Sequence, residues 1–369
     1  MTVVVRAGTR FDIDALLQLE ETCFSSDRLS RRSFMRFVSK GAHNLLVADE
    51  AGSLLGYVLV LFRSGTSLAR IYSIAVSPVA RGKGVASQLL EQAEAIAARR
   101  YCLFIRLEVA SGNTAALELY RKFGYKPFAH IKQYYEDGAD AEQLEKRLLP
   151  VPPTTAPAPY YQQTTEFTCG PASLMMAMQA LNKSYQPGPQ EELQIWREAT
   201  TIFMTAGHGG CSPHGLALSA SARGYRPVLY INTDEIPFLD SVRGEDKKRV
   251  LTLVHQTFEA QMQAADLEVR QQSLNAQEIQ EILSLKRPVV ALISTWMLNR
   301  NKAPHWVFIS YANEDFVYIN DPDPPDAPWQ TADYRRAPIS VENFVRMAAF
   351  GRRKLRAFLV LDKPDQETA

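Results

Sequence analysis

Ile71-Tyr72-Ser73-Ile74-Ala75-Val76-Ser77-Pro78-Val79-Ala80-Arg81-Gly82-Lys83-Gly84-Val85-Ala86 reads as an apolar strand that runs into a two-glycine turn and then into a helix. Such a turn aims unpaired N–H groups and the positive end of a helix at one point, and Gly82 and Gly84 let the backbone come close to what sits there. The natural occupant is an anion such as a pyrophosphate. Arg81 and Lys83 add positive charge. Outward from this segment, helical patterns cover 13–24 and 31–39, strand patterns cover 45–48, 54–62 and 69–76, a helix covers 84–99, a strand 102–109 and a helix 114–123, and two further strands close the half. The expected fold of this half is α/β or α+β around one mixed sheet.

At 150–159 five prolines stand among Val, Thr and Ala. That composition favours a semi-rigid polyproline II spacer of about 3.1 Å per residue, or about 30 Å in all. The expected organisation is a domain at 1–149, a linker at 150–159 and a second domain at 160–369. The second half reads as helices near 171–181, 213–223, 246–264 and 276–285, followed by strands at 288–294, 305–311, 316–321 and 357–361. Helices first and strands afterwards predict a segregated α+β domain, with 233–270 as a helical insertion. The chain has 369 residues, 46% of them apolar, and a formal net charge of +1, with 20 basic and 16 acidic residues up to Leu149 and 21 and 24 after it. Neither half has the charge to grip nucleic acid or an anionic membrane. No apolar run approaches the roughly 20 residues of a membrane span, and charge at Arg6 comes too early for a secretory leader. A cytoplasmic protein is expected. Its four scattered cysteines, none in a CxxC pair, do not suggest a disulfide framework.

In the second half, Gln163-Thr164-Thr165-Glu166-Phe167-Thr168-Cys169-Gly170-Pro171-Ala172-Ser173 puts a thiol just ahead of a helix with proline in its first turn. The helix end favours the thiolate at Cys169. Gln163, six residues upstream, can fold back beside the Cys169 N–H as a second oxyanion donor; Gln162 is the other candidate. A base is needed, and the strand 305–311 begins with His305. The hairpin that returns through 316–320 is centred between 313 and 314, which puts His305 opposite 322 and within one residue of Asp321. Cysteine, glutamine, histidine and aspartate together point to nucleophilic acyl chemistry. His208-Gly209-Gly210-Cys211-Ser212-Pro213-His214 has metal-like residue types but lacks a fourth ligand nearby, and Ser212-Pro213 reads as a helix cap. No metal is expected.

The spacing Arg81-x-x-Gly84-x-Ala86, continued by Glu108, Asn113, Leu119-Tyr120 and Gly124-Tyr125, resembles the acetyl-CoA motif of GNAT N-acetyltransferases over about residues 3–148, most closely the ribosomal-protein N-terminal acetyltransferase (RimI) branch. The resemblance implies a GNAT mixed-sheet fold that binds acetyl-CoA through Ile74, Ala75, Val76, Arg81, Gly82, Lys83, Gly84, Val85, Ala86 and Asn113. It also implies Glu108 as base for the amine and Tyr120 as acid for the departing thiolate. General chemistry agrees, since N-acylation removes a proton from an ammonium and returns one to sulfur. The plainer readings are a strand-end ion pair of Glu108 with Arg106 or a neighbour, a packing role for Tyr120 and a helix cap at Asn113. The segment 132–141 resembles the substrate side of that branch. One departure is Ala110, where a basic residue is common.

The Cys-Gly-Pro-Ala-Ser run and the strand-opening histidine resemble papain-like cysteine peptidases of the double-glycine-leader type over about 160–325. The likeness implies Cys169 as nucleophile, His305 as base, Asp321 as orienting residue and Gln163 in the oxyanion hole. Membrane spans and a Walker A motif of an exporter are missing, so leader specificity does not carry over. Fusions of this kind are associated with ATP-grasp amino-acid ligases as pathway partners. The expected activity is acetylation of a peptide or amino-acid amine combined with thiol-dependent peptide or isopeptide cleavage or transfer. The alternative is an acyl-CoA sensor domain that regulates a cysteine peptidase.

Overall fold

The computed structural model describes residues 3–39, 44–148, 158–201, 209–299, 303–323 and 331–363. The chain divides near 152/153 into two compact units. Most of the linker expected at 150–159 lies outside the described residues.

The first unit runs β1 Val4–Ala7, α1 Ile13–Cys23, α2 Arg31–Ser39, β2 Leu45–Glu50, β3 Ser53–Phe62, β4 Leu68–Val76, α3 Val85–Arg99, β5 Phe104–Ala110, α4 Thr114–Lys122, β6 Lys126–Ile131 and β7 Ala141–Arg147. Its sheet has the order β1-β2-β3-β4-β5-β7-β6. The pairs are antiparallel except β4 with β5. The long apolar runs of β2 and β3 follow from burial on both faces, because successive side chains point to opposite sides of a sheet. Leu46, Ala48, Val58 and Val60 pack with α3 residues Leu89, Leu90 and Ala93. Their alternates Leu45, Val47, Tyr57 and Leu59 pack with Leu16 of α1 and Phe34 of α2. The short edge strand β1 was not legible in the sequence.

The second unit runs α5 Cys169–Leu181, α6 Pro189–Ala199, α7 Pro213–Ser221, β8 Arg226–Ile231, α8 Glu245–Ala264, β9 Glu268–Arg270, α9 Ala276–Ser284, β10 Val289–Ser294, α10 Trp296–Asn299, β11 Pro304–Ala312, β12 Phe316–Asn320, α11 Thr331–Tyr334, β13 Ala337–Ser340, α12 Val341–Met347 and β14 Ala357–Asp362. The strand order is β13-β12-β11-β10-β14-β8-β9. Two sequence expectations need correction. Strands do not all follow the helices, since β8 precedes α8 and sits inside the sheet against β14. The segment 233–270 is also not a purely helical insertion: it leaves β8, forms α8 and returns as β9 parallel to β8, which is the crossover that a parallel pair requires. Both faces of this sheet are again covered. Leu292, Trp306, Phe308 and Leu359 pack with Leu174 and Met178 of α5, whereas Ala291, Val307, Ile309 and Phe358 pack with Ile279 of α9 and Phe344 of α12.

Among the described glycines of this unit, the tightest approach to a neighbouring backbone is at Gly215 of α7. A Cβ added there would lie 2.6 Å from the Ala199 Cα and 2.8 Å from the Ala199 carbonyl oxygen at the end of α6. Gly215→Ala should therefore cost about 1–3 kcal/mol through overpacking. Gly210→Ala, where a Cβ meets nothing within 4 Å, should stay within about 0.5 kcal/mol. Thermal unfolding of the two variants checks the contrast.

Candidate active sites

The first candidate site lies where the sheet of the first unit opens. Strands β4 and β5 pair from Leu68↔Phe104 to Arg70↔Arg106, and their registered pairing ends there. Beyond that point β4 still pairs with β3 as far as Val76, and β5 with β7 as far as Ala110. The edge of β4 that carries Ile74, Ala75 and Val76 therefore faces the gap. After it come Pro78–Ala80 in a 3-10 turn, then Gly82 at φ 78° and Gly84 at φ 78° as the N-cap of α3. Positive φ is what these two positions require of glycine. A Cβ at either would meet no described atom within 4 Å, so the space in front of the turn is open. Arg81, Lys83 and the first N–H groups of α3, at Val85 and Ala86, border this space; helix N-termini leave such donors without intrahelical partners.

Glu108 stands on β5 in the same gap, and its side chain is almost fully buried. Its Oε2 accepts from Arg70 Nε at 2.9 Å and from Nη2 at 2.5 Å, and its Oε1 accepts from Gln143 Nε2 at 3.2 Å. Its ion-pair partner is thus Arg70; the Arg106 of the plainer reading pairs with Glu145. Arg70 also donates to the Tyr134 hydroxyl at 3.0 Å, which brings the 132–141 segment to the same carboxylate. Burial, and then the charge of Glu108, push the Tyr134 and Tyr135 phenols up. Tyr120 on α4 is 5% exposed and packs edge-on against Tyr125 at 5.6 Å. Burial raises its phenol, so the proton stays on oxygen. Asn113 caps α4 by accepting from the Ala116 N–H at 3.1 Å. Arg70 and Gln143 are the residues missed by sequence reasoning. Arg70 sits two residues before Tyr72 in a strand, and only the parallel β4–β5 pairing brings it to Glu108.

The second candidate site joins three segments of the second unit. Cys169 opens α5, whose first ten residues are all buried. Pro171 costs the helix nothing there, because the first-turn N–H groups have no intrahelical acceptor. Gly170 permits the packing: a Cβ would lie 3.1 to 3.2 Å from Cys211, Leu216 and Trp306. Ser173 donates to the Trp306 carbonyl at 3.0 Å, tying the cysteine helix to β11 beside His305. His305 Nε2 and Asp321 Oδ1 are 2.7 Å apart, and both side chains are buried. Asp323, which the sequence reading did not single out, places Oδ1 3.8 Å from His305 Nδ1, too long for a hydrogen bond. Burial alone would lower the imidazolium, but the charges of Asp321, Asp323 and Cys169 outweigh it and raise it well above the usual histidine range.

Gln163 is 3% exposed. Its backbone N–H donates to the Pro322 carbonyl at 2.8 Å, which holds it next to the Asp321 segment. Both of its side-chain polar atoms are buried, and among the described residues neither has a hydrogen-bond partner. The loop around it is held by Glu192 of α6, which accepts from Thr164 N at 2.8 Å, Thr164 Oγ1 at 2.9 Å, Tyr161 OH at 2.8 Å and also from Thr168 Oγ1. Glu192 is a positioning residue that the sequence did not reveal, since nothing marks one glutamate of a surface-like helix as buried.

Of the metal-like run, His208 lies outside the described residues. Cys211 is buried beside Cys169, while His214 stacks edge-on against His255 at 4.8 Å. Among the described residues the group of three potential ligands is instead His305, Asp321 and Asp323.

The model of a Peptidase_C39 like family matches 158–362, more than half of the chain, and the acetyltransferase (GNAT) family model matches 13–125. The chain belongs to the Peptidase_C39 like family and carries a GNAT domain ahead of the peptidase-like one. Both are enzyme families. An uncharacterized N-acetyltransferase of Methanocaldococcus jannaschii is 30% identical over 146 residues, 39% of this chain and 92% of that protein. A putative [ribosomal protein bS18]-alanine N-acetyltransferase of Bacillus subtilis is 30% identical over 131 residues, 35% of this chain and 85% of that protein. The crystal structure of Ard1 from Thermoplasma volcanium matches 41% of this chain and all of its own, at 25% identity and a TM-score of 0.39. No helix among the described residues is long and apolar enough to cross a membrane.

Because the folded-state pKa of His305 is raised, its contribution to stability is fully present below the unfolded imidazole value of about 6.5 and is lost as pH rises through the folded value. Denaturant unfolding measured at a series of pH values from slightly acid to alkaline should show that loss in the wild type. His305→Gln should lack this component of the slope.

Proposed function

We propose that the chain is a two-site peptide-modifying enzyme, with an acetyl-CoA-dependent N-acetyltransferase at 1–149 and a papain-like thiol acyl-transfer or hydrolase site at 160–369. The observation that carries the reading is the buried His305–Asp321 pair, whose imidazole feels the charge of Cys169, with the Gln163 amide buried beside the Asp321 segment. In this reading His305 and the end of α5 hold the Cys169 thiolate, which attacks a peptide or isopeptide carbonyl. Asp321 fixes the imidazole through Nε2, so that Nδ1 is the nitrogen that exchanges the proton with sulfur and then with the leaving amine. The Cys169 N–H and the Gln163 side-chain N–H donate to the oxyanion.

For the first unit, the open β4 edge, the positive-φ turn and the cationic pair Arg81 and Lys83 fit the pantetheine and pyrophosphate of acetyl-CoA. The cosubstrate supplies an activated acetyl group. Both Glu108 oxygens already accept hydrogen bonds, so proton removal from the attacking amine is assigned to Glu108 through a water. Tyr120, held protonated by burial, returns a proton to the thiolate. The names of two relatives, a putative [ribosomal protein bS18]-alanine N-acetyltransferase of Bacillus subtilis and an N-alpha-acetyltransferase RimI of Mycobacterium tuberculosis, support a peptide α-amine as acceptor. Four free cysteines support a reducing, cytoplasmic location.

Two measurements test the reading together. Brief iodoacetamide treatment near neutral pH should label Cys169 well ahead of the other three cysteines, because burial raises the thiols of Cys23, Cys102, which reaches about 11, and Cys211. His305→Ala should slow that labelling. In parallel, the wild type should acetylate members of a peptide panel, and Glu108→Gln and Tyr120→Phe should each reduce transfer roughly 10²-fold or more with little change in acetyl-CoA affinity. Uniform labelling of the four cysteines would remove the thiol site. Cofactor binding without any acetyl transfer would favour the sensor reading.

A further inference from the structure

A cavity of about 130 Å³ opens beside Cys169, walled by Phe238, Val242, Leu251, Trp306 and Phe350. Apart from the thiols of Cys169 and Cys211, no described residue lining it is ionisable. A dry apolar cavity of about 150 Å³ takes up benzene, so this volume suits one branched aliphatic or aromatic side chain. It is far too large for a glycine, which would leave it unfilled. Three of the walls, Phe238, Val242 and Leu251, come from the crossover between β8 and β9. The other two are Trp306, next to His305, and Phe350, just ahead of β14. The crossover therefore does more than complete the sheet: it builds an apolar wall facing the candidate nucleophile.

Resting on the reading of Cys169 as an acyl-accepting nucleophile, we infer that this cavity selects acyl groups that carry a bulky apolar side chain in one of the two residues ending at the attacked carbonyl. A glycine-glycine terminus makes no use of it. Filling an apolar pocket commonly separates substrates by 10- to 200-fold per group. Its described side-chain donors are the hydroxyls of Thr201 and Ser241, the Cys211 thiol and the Trp306 indole, which is engaged by the Cys211 carbonyl, so an acidic side chain would be desolvated there without a cationic partner among the described lining residues.

The test is alkylation of Cys169 in the full chain by three chloromethyl ketones, acetyl-Gly-Gly, acetyl-Gly-Leu and acetyl-Leu-Gly, with iodoacetamide as a reagent that needs no pocket. One of the leucine probes should react at least about tenfold faster than acetyl-Gly-Gly. Val242 is half-buried on the loop before α8, so it accepts changes in both directions. Val242→Trp should bring the leucine-to-glycine ratio toward one, and Val242→Ala should shift the preference from leucine to phenylalanine in the same position. Acetyl-Gly-Gly reacting as fast as both leucine probes, or a leucine preference unchanged in both Val242 variants, overturns the pocket assignment while normal iodoacetamide labelling of Cys169 leaves the thiol site standing. Failure of iodoacetamide to prefer Cys169 overturns both.

Discussion

An imidazole enclosed in protein stays useful as a base only if something compensates the loss of water, and at His305 the compensation is the 2.7 Å contact with Asp321. Much of the second unit serves that contact. Asp321 lies just beyond β12, whose pairing with β11 sets its distance from His305. The Ser173–Trp306 bond and the space left by Gly170 bring the end of α5 against β11. The four-donor hub at Glu192 then holds the loop that bears Gln163. Charges buried in this way are costly to isolate and are retained when each has a partner. Gln163, buried beside the Asp321 segment through its backbone bond to Pro322, is the neutral donor that the proposed oxyanion would use.

The first unit solves a different problem. An anionic cosubstrate with a long flexible arm needs donors along its length, and a closed sheet has none to offer. The end of β4–β5 pairing after Arg70 and Arg106 exposes one strand edge, and the glycine turn that follows adds the helix N-terminus. The same divergence lets Arg70 cross to Glu108 and Tyr134, so the opening proposed for the cosubstrate also gathers the polar groups.

The parts of this arrangement that were legible in the sequence were those with local signals. The two-glycine turn, the proline in the first turn of α5 and the apolar runs of β3, β10 and β11 each carry their own pattern. The hairpin count came within a residue: Phe308 pairs with Asn320, and a bulge between Ile309 and Tyr311 shifts the register, so that strict counting would bring His305 opposite Asp323. Asp321 reaches His305 because β12 has ended by then. What stayed hidden depends on distant pairing. β8 and β9 are recognisable only once the crossover is closed, Arg70 and Glu192 look like ordinary surface charges, and the metal-like run separates because Cys211 and His214 face different neighbours.

The central claim is that Gln163 stabilises an oxyanion at Cys169, and the most direct measurement compares Gln163→Ala with wild type in two reactions of the same thiol. Acyl transfer from a peptidyl p-nitrophenyl ester passes through a tetrahedral oxyanion, whereas alkylation by iodoacetamide does not. The account predicts a loss of roughly 10²- to 10³-fold in the first and less than about twofold in the second. Equal losses in both reactions, or an undiminished rate of acyl transfer, would contradict it.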